Sequence, residues 1–125
     1  MTGAEFIQFQ KDIHFKMQAV TKAKNTDYSG GGDSDAFNNF MMVEKMGISS
    51  AESGFLVRMT DKMMRITNLI KNGGAQVKDE AIEDTLMDLA NYAVLMMGYL
   101  ESKKKGRSIV AQELFAGNGR KVGDL

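Results

Sequence analysis

Asp88 and Asn91 place a carboxylate and an amide three residues apart at the start of Leu89 to Leu100, a stretch that is otherwise apolar nearly all round. A helix apolar on every side is expected to be buried on every side. An unpartnered carboxylate or amide in such surroundings costs several kcal/mol, so this pair is expected to face a metal, a cation or a ligand. Glu80, Glu83 and Asp84 precede it at spacings of three and four, which brings side chains to one helical face. Glu80, Glu83, Asp84 and Asp88 thus form a candidate site for a divalent cation such as magnesium, a hard ion that takes carboxylate oxygens. The first three also have an ordinary role, because acids in the first turns of a helix face its positive end. Asp88 lies too deep in the helix for that account.

A second constellation combines Arg58, Asp61, Lys62, Arg65 and Asn68 at three- and four-residue steps. Two arginines on one helical stripe can fork onto phosphate oxygens. The plain alternative is a solvated face on which Asp61 pairs with Arg65 across one turn, but Val57 and Met64 border the stripe as though it were partly covered. The glycine run in NTDYSGGGDSD offers backbone amides to an anion, yet it lacks the GK[ST] ending and the preceding strand of a phosphate-binding loop. Asp27 and Tyr28 beside it are candidates for contact with a base or sugar. The single histidine, His14, has no Ser or Cys nucleophile pattern around it and reads as structural.

Helices must position these groups. Residues 4–24 carry Phe6, Ile7, Phe9, Ile13, Met17 and Val20 at helical spacing, and residues 25–35 read as a loop because Gly, Asn, Asp and Ser favour turns. Asp33, Ser34 or Asp35 is expected to cap a short helix with Phe37, Phe40, Met41 and Met46, ended by Gly47. Ser49 and Glu52 read as a capping box for a third helix whose apolar line is Leu56, Met59, Met63, Ile66 and Ile70 and whose stop is Asn72 to Gly74. Asp79 is expected to cap a fourth helix, with Lys103, Lys104 and Lys105 at its negative end before Gly106. The expected fold is all-α: one helical domain over residues 1–106, with four main helices in a bundle completed by homo-oligomerisation. Residues 107–125 form a tail that frays or reaches a neighbour.

Composition narrows the functional classes. Sixteen basic and sixteen acidic residues cancel, so bulk nucleic-acid binding is not indicated and any nucleotide role must be a local site. The absence of cysteine removes disulfides, thiolate zinc sites and Cys nucleophiles. No signal core and no membrane-length apolar run occurs, so a cytoplasmic protein is expected.

The blocks KNTDYSGGGDSDAFNNF, RMTDKMMRITNLI and VKDEAIEDTLMDLANYA together resemble the phage and prophage family called nucleotide modification associated domain, type 1, from about Lys24 to Leu100. The resemblance implies a role in viral nucleotide metabolism in the infected bacterial cytoplasm, without specifying a reaction. The DLANYAVLM segment is also similar to the E-x-x-D helix of all-α, MazG-like nucleoside triphosphate pyrophosphohydrolases. Asp88 and Asn91 stand where that motif has Glu and Asp, and Asp61, Lys62 and Arg65 where those enzymes carry a glutamate-rich run. Fewer acids and more bases imply weaker magnesium binding and stronger phosphate binding. Three readings follow. The first is nucleotide binding or sequestration of a nucleotide signal by Asp27, Tyr28, Arg58, Asp61, Lys62, Arg65, Asp88 and Asn91. The second is magnesium-dependent pyrophosphohydrolysis, and the third an oligomeric phage accessory protein without a small ligand.

Overall fold

The described residues form four helices and no strand: α1 (Gly3–Ser29), α2 (Asn38–Lys45), α3 (Ala51–Lys71) and α4 (Ala75–Ala116). The computed structural model describes residues 1–29, 36–72 and 75–116, and the side chains of 25–29, 75–79, 107–113 and 115–116 lie outside that description. Among the described residues no helix is long and apolar enough to cross a membrane.

Local chemistry sets most of the helix ends. Thr2 Oγ1 accepts from the Glu5 amide at 3.1 Å while the Glu5 carboxylate accepts from the Thr2 amide at 2.8 Å, a reciprocal box that satisfies donors at the start of α1. Gly47 adopts φ of +73°, a conformation that L side chains rarely take. Its amide donates to the Glu44 carbonyl and the Ile48 amide to the Val43 carbonyl, each at 3.0 Å, which is the Schellman closure of a helix end. The start of α3 differs from the expected Ser49 and Glu52 box. Ser50 is the N-cap and accepts from the Ser53 amide at 3.1 Å, because the amides of Ile48 and Ser49 are drawn back to Val43 by the preceding turn. The carboxylate of Glu44 reaches over to accept from the Ala51 amide at 3.2 Å, adding a negative charge at the positive end of α3.

Two helices run further than their sequence signals suggest. α1 continues past Lys24 through Asn25, Asp27 and Tyr28 to Ser29, since an established helix gains a hydrogen bond with each added residue and weak formers do not stop it. The expected capping residues Asp33 to Asp35 lie outside the described residues, and α2 starts with Phe37 at its N-cap without a side-chain cap. α4 begins before Asp79 and passes through Gly106 to Ala116, 42 residues in all, or about 63 Å. A lone glycine costs only about 1 kcal/mol inside a helix, too little to end this one, so the expected tail begins as helix.

α3 and α4 lie antiparallel, with Phe55 beside Tyr99, Lys62 beside Asp88 and Glu52 beside Lys103. Ala51, Phe55 and Tyr99 are buried, and Phe37, Phe40, Met41, Leu95 and Met96 pack around them. Phe40 stacks on Phe55 with ring centres 3.9 Å apart and meets Tyr92 edge-on at 6.2 Å. α2 reaches this core because α3 and α4 each offer a glycine. A Cβ on Gly54 would stand 3.3 Å from Val43, and one on Gly98 3.3 Å from the Phe37 ring.

Two expectations about burial change. Val94, Met97 and Leu100 are exposed, so the Leu89 to Leu100 stretch is not enclosed by its own chain, which has too few helices to surround it. On α3 the buried side carries Ala51 and Phe55, while Leu56, Met63 and Ile70 of the expected core line face outward. α1 joins α4 near Asn91 and Asp88, and Phe6, Ile7, Phe9 and Phe15 along its N-terminal half are exposed.

Candidate functional site

Asp88 acts as a tie between three helices. One carboxylate oxygen lies 3.6 Å from Lys24 Nζ of α1 and the other 3.6 Å from Lys62 Nζ of α3. The cations expected around Asp88 are therefore lysines. The Asp88 side chain is 35% exposed, so water screens both pairs and each contributes about 1 kcal/mol or less. Glu80, Glu83 and Asp84 are exposed along α4. Among the described residues no group of three acids or histidines is close enough to hold a metal ion, so these four carboxylates are not gathered at one point. The cause is geometric: Asp88 turns toward the basic side chains of α1 and α3.

One turn further along α4, Asn91 opens onto a cleft of about 710 Å³ to which all four helices contribute. The volume falls in the range of roughly 300–1,000 Å³ typical of small-molecule sites. Phe40, Val43, Val57 and Leu95 supply apolar walls, and Lys24, Arg58, Asp61 and Asn91 supply polar groups, with Tyr92 among the lining side chains. Two cations against one carboxylate give the lining a positive balance. Among the described residues neither Arg58 nor Asp61 forms an ion pair, and none joins Asp61 to Arg65. Arg58, Asp61, Arg65 and Asn68 are exposed, as a solvated face would have them, but the Asp61–Arg65 pair is not formed.

The Thr21 hydroxyl lies 2.9 Å from the Met17 carbonyl and 3.3 Å from Asn91 Oδ1. A hydroxyl has one proton and cannot donate to both at once. When it serves Met17, the Asn91 amide can turn either its donor or its acceptor face toward a ligand. The arrangement as a whole can receive an anion at Lys24 and Arg58, a flat apolar group between the walls, and hydroxyl or amide edges at Asp61 and Asn91.

Of the residues singled out from sequence, Arg58, Asp61 and Asn91 meet in the cleft, while Lys62 and Asp88 form the ion pair beside it. Arg65 is exposed on α3 and does not line the cleft. The Asp27 and Tyr28 side chains lie outside the described residues, as do residues 30–35 of the segment read as a loop. Sequence reasoning missed Thr21, Lys24, Asn39 and Tyr92. A signal for the first two existed: the stripe Ile13, Met17, Thr21, Lys24 turns from apolar to polar at constant helical spacing, which marks where α1 leaves a core and meets a polar site.

The family model for nucleotide modification associated domain 1 matches residues 24–100. The chain belongs to this family. Every residue lining the cleft except Thr21 falls inside the nucleotide modification associated domain, whereas the N-terminal part of α1 and the last sixteen residues of α4 lie outside it. No curated protein and no solved structure matches the chain.

Away from the cleft, Lys103 donates to Glu52 Oε1 at 2.7 Å and lies 5.6 Å from the centre of the Tyr99 ring. The Lys103 bond holds the Glu52 carboxyl below the usual carboxylate range, and burial pushes the Tyr99 phenol above its ordinary value. Lys103 was expected to serve the negative end of α4; because the helix continues past it, the lysine clamps α4 to α3 instead.

Proposed function

We propose that the four-helix cleft binds a nucleotide. Phosphate oxygens meet Arg58 and Lys24, the base lies against the apolar walls near Tyr92 with its edge toward the Asn91 amide, and Asp61 accepts from sugar hydroxyls. The observation that carries this reading is the meeting of Arg58, Asp61 and Asn91 in one cleft, within the span matched by a nucleotide modification associated domain. A free guanidinium beside apolar walls suits a ligand with one anionic and one aromatic end. The biological role we infer is viral nucleotide metabolism or sequestration of a nucleotide signal, in the cytoplasm of an infected bacterium.

The magnesium-dependent hydrolase reading needs Glu80, Glu83, Asp84 and Asp88 to act on one ion. Asp88 sits between two lysines and the other three are spread along an exposed face, which favours binding without cleavage. Calorimetric titration of the full chain with ribo- and deoxynucleoside mono-, di- and triphosphates and cyclic dinucleotides, with and without magnesium, tests both readings when paired with product analysis. The expected result is saturable binding without turnover. Release of pyrophosphate would select the hydrolase, and the absence of binding across the panel would leave the accessory-protein reading.

A further inference from the structure

We infer that Asp88 tunes the cleft from outside it, by competing with a bound phosphate for the Lys24 ammonium. The inference rests on the nucleotide reading of the cleft. Lys24 belongs to two places at once: it lines the cleft, and its Nζ lies 3.6 Å from one Asp88 oxygen. Neither Asp88 nor Lys62, the second partner of that carboxylate, lines the cleft. One of the cleft's two cations is therefore engaged by Asp88, and Arg58, which forms no ion pair among the described residues, is the one an incoming anion meets first.

Distance and exposure mark the Lys24 contact as one that exchanges. A charge-assisted N–H···O bond runs at about 2.7–2.9 Å, and Lys103 holds Glu52 at 2.7 Å. Lys24 and Lys62 both stand off from Asp88 at 3.6 Å, as ion pairs without a short hydrogen bond. The Lys24 side chain is 49% exposed and its charge ends a flexible stem, so the ammonium can leave Asp88 while α1 stays in place. Ile13, Met17 and Thr21 remain partly covered, and Thr21 still meets Asn91 of α4.

Lys62 makes that exchange easy. A carboxylate deprived of every cation in a covered site is strongly disfavoured, but Asp88 keeps Lys62 on its other oxygen. The Lys62 side chain is only 26% exposed, so it is the more enclosed lysine that stays and the more open one, already at the cleft, that moves. A terminal phosphate carries about −1.5 to −2 at pH 7, more charge than the Asp88 carboxylate offers. It thus draws Lys24 across, whereas an uncharged nucleoside has nothing with which to compete. Asp88 is a positioning residue in this scheme: it acts through Lys24 and touches no ligand.

Calorimetric titration of the full chain with the 5′-monophosphates of adenosine, guanosine, cytidine and thymidine, and with the parent nucleosides, tests the competition. Asp88→Asn releases Lys24 and is expected to tighten monophosphate binding by about two- to fivefold, the factor that an exposed ion pair sets, with nucleoside binding unchanged. Lys62→Met leaves Asp88 with Lys24 alone and is expected to weaken monophosphate binding. In a Lys24→Met chain both effects are expected to vanish, because the carboxylate then has no ammonium to withhold. A gain from Asp88→Asn that persists without Lys24 is plain relief of charge repulsion and overturns the proposal. So does unchanged or weaker binding by Asp88→Asn with its helical circular dichroism retained. Should that variant not fold, the sign of the Lys62→Met effect decides. Absence of binding by all the monophosphates would sink the nucleotide reading itself, whereas binding indifferent to Asp88 removes the competition alone.

Discussion

Arg58 holds a full positive charge against apolar walls, and that charge is worth most to an anion that loses its water on entering. Arg58→Ala is expected to weaken binding of a phosphorylated nucleotide by about 1.5–3 kcal/mol, the range for a charged hydrogen bond. Arg65→Ala, two turns along and outside the cleft, is expected to leave the calorimetric affinity unchanged. Equal losses in both variants would place the phosphates on the outer face of α3. At Asp88 the partners are partly exposed lysines, so Asp88→Asn is expected to lower stability by about 1 kcal/mol or less, read as a small shift of the urea midpoint. A loss of several kcal/mol would mean that the ion pairs are far better shielded than their exposure indicates. Tyr99 gives a pH signature at the other end of the core. Burial favours its neutral form, so the fold holds the phenolic proton more tightly than the unfolded chain does. That contribution is complete below the ordinary tyrosine value of about 10 and is lost as pH rises through the higher folded value. Tyr99→Phe is expected to flatten the alkaline limb of a stability–pH curve relative to the unmodified protein.

Helix ends report how local each instruction was. Gly47 at φ +73° closes α2, and Gly47→Ala is expected to cost about 1–2 kcal/mol in chemical denaturation because a side chain there strains the left-handed backbone. That stop was legible because glycine acts through its own conformation, and α3 ends at Lys71 beside Asn72, where the sequence places its stop. The start of α3 was legible only to within one residue. Ser49 and Ser50 both have a polar residue three positions on, and the preceding turn decides between them. Glu52, which looks local in sequence, is held by Lys103 from 51 residues away, a partner that no short-range pattern contains. This pair also predicts an acid response. The fold binds the Glu52 proton less tightly than the unfolded chain, so its contribution is present at neutral pH and lost as pH falls through and below the usual carboxylate range. Glu52→Gln is expected to remove that part of the acid sensitivity, and salt to shrink it, because the pair is open to water.

Across the whole molecule, helical periodicity made the all-α class legible, and it found the apolar lines of α3 and α4. It does not say whether an apolar line is covered by its own chain or by another, and so the outward face of α3 was read as core. The site was legible where polar residues break an apolar helix, at Arg58, Asp61 and Asn91. It was illegible where its lining comes from α1 and α2: α2 is placed by the close approach that Gly54 and Gly98 allow, and α1 by contacts of Thr21 and Lys24 with Asn91 and Asp88, some 70 residues away. The two tyrosines of α4 have an optical consequence. The chain has no tryptophan and three tyrosines, so excitation near the red edge of protein absorbance is emitted by tyrosine alone. Tyr92 lines the cleft while Tyr99 is sealed in the core. A nucleobase stacked in the cleft would quench Tyr92 emission and leave Tyr99 emitting. The unlabelled protein thus carries its own fluorescent gauge of occupancy, and Tyr92→Phe compared with Tyr28→Phe would show which tyrosine reports it.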